Sequence, residues 1–328
     1  MKNKHRFTPQ LSLYSLINRT GFLSALLFIC LCLPAWAQNT QPKYAIIPEN
    51  PLPGEFVTIA LNTQAAKETI SAALYTNENK RLAKTTFFQV PDIPEKIPVL
   101  AAILTVPNTA QAGFAYIKIE STGASILEIP LIIRERKFTS EVIDLNKALT
   151  SIRTDYDPQK TLESEQLWAI LSKTGATLYS TGKFTEPVSS TRRTSFYGDR
   201  RLYKYSNSKT DSSVHAGIDY GIPTGTPIYA CAAGKVILAK YRIVTGNSVV
   251  IEHAPGIYSL YYHLEKIEIH ENELVQTGTF LGLSGATGLA TGPHLHWEIR
   301  VSGEAADPDI FLHRPILDKD AILAKITK

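Results

Sequence analysis

The chain has 328 residues, more than one compact domain usually holds, so its length predicts two domains with a connector. It carries 34 Lys and Arg against 30 Asp and Glu, but four of the basic residues and none of the acidic ones lie in residues 1–37. The remainder is formally neutral, at 30 against 30, which argues against nucleic acid as a partner and gives no support to an acidic surface.

Residues 1–37 have the composition of a signal peptide. Basic residues precede an apolar run from Gly21 to Leu33, and Ala35-Trp36-Ala37 supplies the small residues of a cleavage site. An uncleaved membrane anchor is the alternative, although the run is shorter than the roughly 20 residues of a spanning helix. We therefore expect an exported protein, in the periplasm or cell envelope or secreted, without stable membrane insertion after cleavage.

Cleavage near Gln38 removes two of the three cysteines, so the mature chain cannot form an internal disulfide. The remaining cysteine, Cys231, lies in an apolar run. We expect it to be a buried hydrophobic residue rather than a nucleophile or a metal ligand.

Residues 38–135 show short β-rich runs separated by Pro, Gly and Asn. The predicted strands are Phe56–Leu61, Ile70–Tyr75, Ile97–Leu104, Phe114–Ile119 and Ile126–Ile133. Their spacing fits a small antiparallel sandwich, and we predict an immunoglobulin-like accessory domain.

Residues 136–185 change to a helical period and predict a connector of two helices. Val142, Leu145, Leu149 and Ile152 recur at helical spacing, and a second helix is expected to begin at Asp157-Pro158 and end at Lys173-Thr174-Gly175. A partner-binding coiled coil is the alternative, but neither helix has enough heptads for one.

Residues 186–314 return to β-branched residues and Gly turns, and residues 315–328 are expected to be a C-terminal tail. The predicted strands are Pro227–Ala232, Lys235–Tyr241, Ser248–Glu252, Tyr258–Leu264, Phe280–Leu283 and His294–Val301. The chain as a whole is therefore predicted to be mainly β.

Two motifs in this C-terminal region could bind a metal. His215 and Asp219 are four residues apart and project to the same face of an extended chain, and imidazole with carboxylate suits zinc. In the second motif, alternation places His294, His296 and Glu298 on one face with apolar residues behind them. Half-exposed surface histidines are the alternative for both.

The remaining histidines are less informative by themselves. His263 lies in a Tyr-rich run and is, taken alone, better explained as a core histidine. His253, His270 and His313 lie apart from the motifs and are expected to be structural or solvated. Nearby tyrosines could line a peptide groove or belong to the core; they are Tyr220, Tyr258, Tyr261 and Tyr262.

In order and spacing, these motifs resemble the lysostaphin/LytM-type zinc metallopeptidases. The resemblance covers roughly Val188 to His313 and includes Ser195-Phe196-Tyr197-Gly198-Asp199-Arg200, Gly225-Thr226-Pro227-Ile228, Gly246-Asn247-Ser248-Val249-Val250-Ile251 and Thr291-Gly292-Pro293. It implies a C-terminal antiparallel β peptidase domain at 186–314 with one zinc ion bound by His215, Asp219 and His296. It also implies that His263 and His294 are catalytic, without dividing the steps between them.

The resemblance implies an endopeptidase that cuts the cross-links or stem peptides of bacterial peptidoglycan, with the bond left open. Two alternatives remain: a non-catalytic LytM-like activator of another hydrolase, and a wall-binding protein whose metal only braces the fold. Residues 38–185 are expected either to regulate access to the site or to act as a spacer or docking module.

Overall fold

The computed structural model describes residues 42–63, 70–93, 98–122 and 124–327, and within them the chain is mainly β, as predicted. The predicted signal peptide at 1–37 lies outside these residues. Among the residues described, no helix is both long and apolar enough to cross a membrane.

The described residues of the N-terminal region form eight strands: β1 (Lys43–Ile47), β2 (Phe56–Asn62), β3 (Ile70–Thr76), β4 (Arg81–Thr86), β5 (Phe88–Gln89), β6 (Val99–Thr105), β7 (Gly113–Ser121) and β8 (Ala124–Ile133). They form two antiparallel sheets, in the orders β1-β2-β6-β5 and β4-β3-β7-β8. Buried side chains of both sheets share one core, which includes Ile59, Leu74, Leu104 and Ile117. The five predicted strands are confirmed within the described residues, where the third begins at Val99. The immunoglobulin-like assignment stays a prediction.

The β1-β2-β6-β5 sheet is buried on both faces at its two central strands. Alternate residues of β2 and β6 point into the sandwich core, while Phe56, Ala60, Ala101 and Ile103 pack into the core of the C-terminal region. Every residue of β6 is buried. Both central strands therefore read as nearly continuous apolar runs, which is what burial on two faces requires.

The connector contains β9 (Ser140–Asp144), α1 (Lys147–Thr154) and α2 (Pro158–Leu171). Asp157 caps α2 by accepting a bond from the Gln159 backbone N–H at 2.8 Å, with Pro158 at the first helical position, as predicted. The predicted first helix is wrong at its start, because Val142 lies in β9 and only residues from Lys147 onward are helical. The reason is non-local: β9 pairs in parallel with β11, a strand about 60 residues later.

The C-terminal region holds the strands β10 (Arg193–Ser195), β11 (Arg200–Lys204), β12 (Thr210–Val214), β13 (Gly217–Tyr220), β14 (Pro227–Tyr229), β15 (Gly234–Arg242), β16 (Gly246–Ala254), β17 (Ile257–Ile267), β18 (Leu274–Val275), β19 (Phe280–Ser284), β20 (Leu295–Val301) and β21 (Glu304–Ala306). Seven of them form the path β10-β13-β20-β17-β16-β15-β18 of one large antiparallel sheet, and β14, β19 and β21 extend it. A separate three-stranded sheet has the order β12-β11-β9. Connector residues therefore complete a sheet of the C-terminal region.

Two short helices, α3 (Pro308–His313) and α4 (Lys319–Ile326), follow the last strand. Residues 315–328 were predicted to be a tail, but α4 within them packs against β1 and β2 and buries Ile322 and Ile326. The predicted domain boundaries themselves stay a prediction.

Candidate active site

His215, Asp219 and His296 converge at one buried point. His215 directly follows β12, Asp219 lies on β13, and His296 lies opposite Asp219 on the neighbouring β20. The His215 Nε2 atom is 3.1 Å from Asp219 Oδ1 and 3.0 Å from His296 Nδ1, and His296 Nδ1 is 2.8 Å from Asp219 Oδ1. The structure thus brings together three residues that are up to 81 positions apart in the sequence.

Both imidazoles are oriented by a bond on their far nitrogen. His215 Nδ1–H donates to the Phe196 carbonyl at 2.8 Å, and His296 Nε2–H donates to Glu298 Oε2 at 3.3 Å. In the neutral tautomers that these bonds favour, the nitrogens that face each other carry lone pairs beside a carboxylate oxygen, so a proton or a metal ion between them is stabilising. Two imidazoles with one carboxylate are a donor set of catalytic zinc sites. These residues fit a zinc ion.

Electrostatics at this point favours a charged carboxylate. Burial opposes ionisation of Asp219, but hydrogen bonds from His215 and His296 hold its pKa well below the ordinary value. Burial likewise opposes charging of His296, yet its bonds to Asp219 and Glu298 outweigh that and raise its pKa to about 9. Burial lowers the pKa of His215. The cluster therefore holds one positive charge on His296 when only protons are available.

A charged residue that the sequence analysis missed contacts this cluster. Arg201, on β11, donates from Nη2 to Asp219 Oδ2 at 2.6 Å and from Nε to Glu141 Oε1 at 2.5 Å. Its side chain is 14% exposed. Alternation along β11 was the signal that could have separated Arg201 from its neighbour Arg200.

His263 and His294 lie beside the cluster with their rings 4.7 Å apart. His263 Nδ1 donates to the Thr287 carbonyl at 2.7 Å and His294 Nδ1 to the Gly292 carbonyl at 2.8 Å, which leaves Nε2 of each ring free to accept a proton. His294 Nε2 is 3.9 Å from Asp219 Oδ1. Burial, with a smaller contribution from His294, lowers the pKa of His263 to about 3.

A cavity of about 200 Å³ is lined by His215, His263 and His296. Its wall includes Arg153 of α1 together with Tyr203 of β11, neither of which was predicted to face the site. Of the four tyrosines considered for a groove, Tyr262 lines the cavity and its ring stacks on that of His296 at 5.4 Å. The other three are almost fully buried in the core.

The remaining histidines and the cysteine lie outside the site, as predicted. His253 is fully buried and bonds Ala233 O and Ser259 Oγ, whereas His270 and His313 are exposed. Cys231 is fully buried, and burial raises the pKa of its thiol to about 12. A thiol in this state is inert as a nucleophile.

Residues 213–308 match the family model "Peptidase family M23". A DD-carboxypeptidase/endopeptidase of Neisseria meningitidis serogroup B is 37% identical over 159 residues, covering 47% of this chain and 36% of the relative. A peptidoglycan DD-endopeptidase of Vibrio cholerae is 42% identical over 93 residues, covering 28% and 22%. This chain thus spans about a third or less of the length of these curated relatives.

Among solved structures, a Pseudomonas aeruginosa protein assigned to peptidase M23 aligns with a TM-score of 0.56 and 24% identity, over 80% of this chain and 95% of that one. The likeness extends beyond the C-terminal region and concerns the fold.

Proposed function

We propose that this chain, which carries a peptidase family M23 domain, is an exported zinc metalloendopeptidase that hydrolyses peptide bonds in bacterial peptidoglycan. The observation that carries the proposal is the convergence of His215, Asp219 and His296 beside two histidines whose Nε2 atoms are free. Similarity to peptidoglycan DD-endopeptidases supports the substrate class.

His215 Nε2, Asp219 Oδ1 and His296 Nδ1 would hold the zinc ion, and three protein ligands leave a position for water or substrate. When bound, zinc supplies Lewis-acid polarisation of the scissile carbonyl and makes water more acidic near neutral pH. Glu298 and the Phe196 carbonyl keep both imidazoles in the ligating tautomer.

His263 and His294 are proposed to move the protons. Each ring has its Nδ1–H fixed by a backbone carbonyl, so Nε2 can accept a proton from the attacking water and return one to the leaving amine. The two rings are in contact and act as a pair, and the same nitrogens can donate to the developing oxyanion once protonated.

The composition of residues 1–37 and the proposed substrate support an envelope location, in the periplasm or outside the cell. Regulation of access by residues 38–185 is a further part of the proposal, supported by the position of Arg153 on the cavity wall. An Arg153→Ala variant that cleaves peptidoglycan no faster than wild type contradicts that part.

The test is digestion of purified peptidoglycan of several cross-link types by zinc-loaded protein, beside a His294→Ala variant. Mass spectrometry of the fragments should find new amino termini with the wild type only, while zinc content is equal in both. No cleavage by zinc-loaded wild type, combined with stimulation of a separate wall hydrolase, would instead establish the activator alternative.

A further inference from the structure

Arg201 connects the candidate metal centre to the connector. Its Nη2 lies 2.6 Å from Asp219 Oδ2 and 2.9 Å from Ser195 Oγ, while its Nε lies 2.5 Å from Glu141 Oε1 on β9. Ser195 Oγ also donates to the same Glu141 oxygen at 2.8 Å. The guanidinium is therefore held on two sides, in line with the planar fork of donors that distinguishes Arg from Lys.

The pairing of strands explains why this arginine and not its neighbour faces the site. In the parallel ladder between β9 and β11, Glu141 lies opposite Arg201. Arg200 points to the other face, where it donates to the Asn108 carbonyl at 2.8 Å and lies over the Phe138 ring. Two adjacent arginines thus have separate environments.

Because Arg201 contacts Asp219, the two oxygens of the Asp219 carboxylate have different partners. Oδ1 faces the imidazoles, at 3.1 Å from His215 Nε2 and 2.8 Å from His296 Nδ1, and Oδ2 is occupied by Arg201. A carboxylate bound in this way is restrained from rotating, and Oδ1 is the oxygen that it presents to a metal. Partners of this kind orient metal ligands and typically change metal affinity or activity 10- to 100-fold when removed.

A positive charge this close to a divalent cation would by itself weaken metal binding. Glu141 offsets that charge, because its carboxylate makes an ion pair with the same guanidinium and is 31% exposed against 14% for Arg201. With the pair formally neutral, the orienting effect on Asp219 remains.

We propose that Arg201 is a positioning residue for the zinc site and that Glu141 of the connector holds it in place. The inference rests on the proposed function in taking zinc as the metal. Both residues precede residue 213, where the family match begins.

The experiment measures zinc affinity by competition with a chromophoric chelator, and the thermal midpoint of the metal-free full chain, for wild type and four variants. Arg201→Met should raise the zinc Kd about 10- to 100-fold in a metal-free chain that still unfolds cooperatively. Arg201→Lys should recover part of the affinity because one ammonium can reach one partner but not both. Glu141→Gln should weaken binding less than Arg201→Met, and Arg200→Met should bind as wild type.

An Arg201→Met variant that binds zinc as tightly as wild type overturns the inference, as does an Arg200→Met variant that weakens binding equally. If Arg201→Met does not fold, Arg201→Lys and Glu141→Gln decide by the same measurement, and wild-type affinity in both overturns it. A wild type that binds zinc but cuts no peptidoglycan refutes the proposed function alone, so the two failures are distinguishable.

Discussion

The two halves of the candidate site are held in different ways. On the metal side, ligands on β13 and β20 contact charged side chains, with Arg201 on Asp219 and Glu298 on His296. On the other side, His263 and His294 are held through Nδ1 by loop carbonyls. The first half is fixed by strand pairing and ion pairs. In the second half, His263 lies on β17, and carbonyls of the loop that precedes β20 orient both rings.

The largest expected effect is a difference in zinc binding between a variant of the metal side and a variant of the other side. His215→Ala should lower zinc affinity on the order of 1000-fold, since the ligands of a structural zinc site share about 10–16 kcal/mol. His263→Ala should keep zinc and lower kcat by about 100- to 10,000-fold, the usual range for a general acid or base. Zinc titration and peptidoglycan turnover on both variants check this, and comparable loss of zinc in His263→Ala would erase the distinction.

His253 lies away from the site but is held like His263 and His294, by a hydrogen bond from Nδ1 to a backbone carbonyl. It therefore shows the effect of burial on a histidine that has no metal role. Burial lowers its pKa from 6.5 to about 4, so folding keeps the ring neutral. Between these values the unfolded chain binds a proton that the folded chain does not. The contribution of the neutral His253 ring to stability is present above pH 6.5 and is lost as the pH falls. The free energy of unfolding therefore decreases by about 2 kcal/mol between pH 7 and pH 5.

Urea unfolding of the metal-free protein at both pH values measures this contribution. On acidification from pH 7 to pH 5, the free energy of unfolding of His253→Gln should decrease by about 2 kcal/mol less than that of wild type. The exposed His270 provides the control, and His270→Gln should keep the wild-type loss. Equal acid sensitivity of wild type and His253→Gln would contradict the assignment.

The smallest expected effect concerns how the connector supports the loop half. Glu163 of α2 is buried and accepts from the Ile243 backbone N–H at 2.9 Å, in the turn whose Thr245 carbonyl accepts from His263 N–H at 2.9 Å. Glu163→Ala should lower kcat about fivefold, the equivalent of roughly 1 kcal/mol for a lost hydrogen bond. Zinc affinity should not change.

The matched control is Glu165→Ala, an exposed position on the same helix. A loss of kcat of the same size in this variant would show that α2 acts through its stability rather than through the turn.

Sequence patterns predicted the features that depend on residues close together in the chain. The strands around β2, β6 and β17 follow apolar runs, and alternation correctly placed His296 and Glu298 on one face, where they are bonded at 3.3 Å. The residue types of the His and Asp motifs were enough to indicate a metal.

The rest depends on contacts between distant segments. Val142 has helical spacing in the sequence, but it lies in β9 because β9 forms a ladder of backbone hydrogen bonds with β11. Alternation along β11 separates Arg201 from Arg200 but does not show that Asp219 is its partner. Nothing local to Glu163 shows that it reaches a turn 80 residues away. Supporting residues are selected by such pairings, which a single sequence does not display.

The β1-β2-β6-β5 sheet, whose central strands are buried on both faces, limits which segments of this chain could be exchanged for those of another protein. Phe56 of β2 contacts Phe311 of α3 at 4.6 Å, and Ile326 of α4 belongs to the same core. A graft that exchanged the N-terminal sandwich alone would leave these aromatic and aliphatic surfaces in water on both sides of the cut. The sandwich and helices α3 and α4 therefore pack as one unit, although the strands that carry the site lie between them in the sequence.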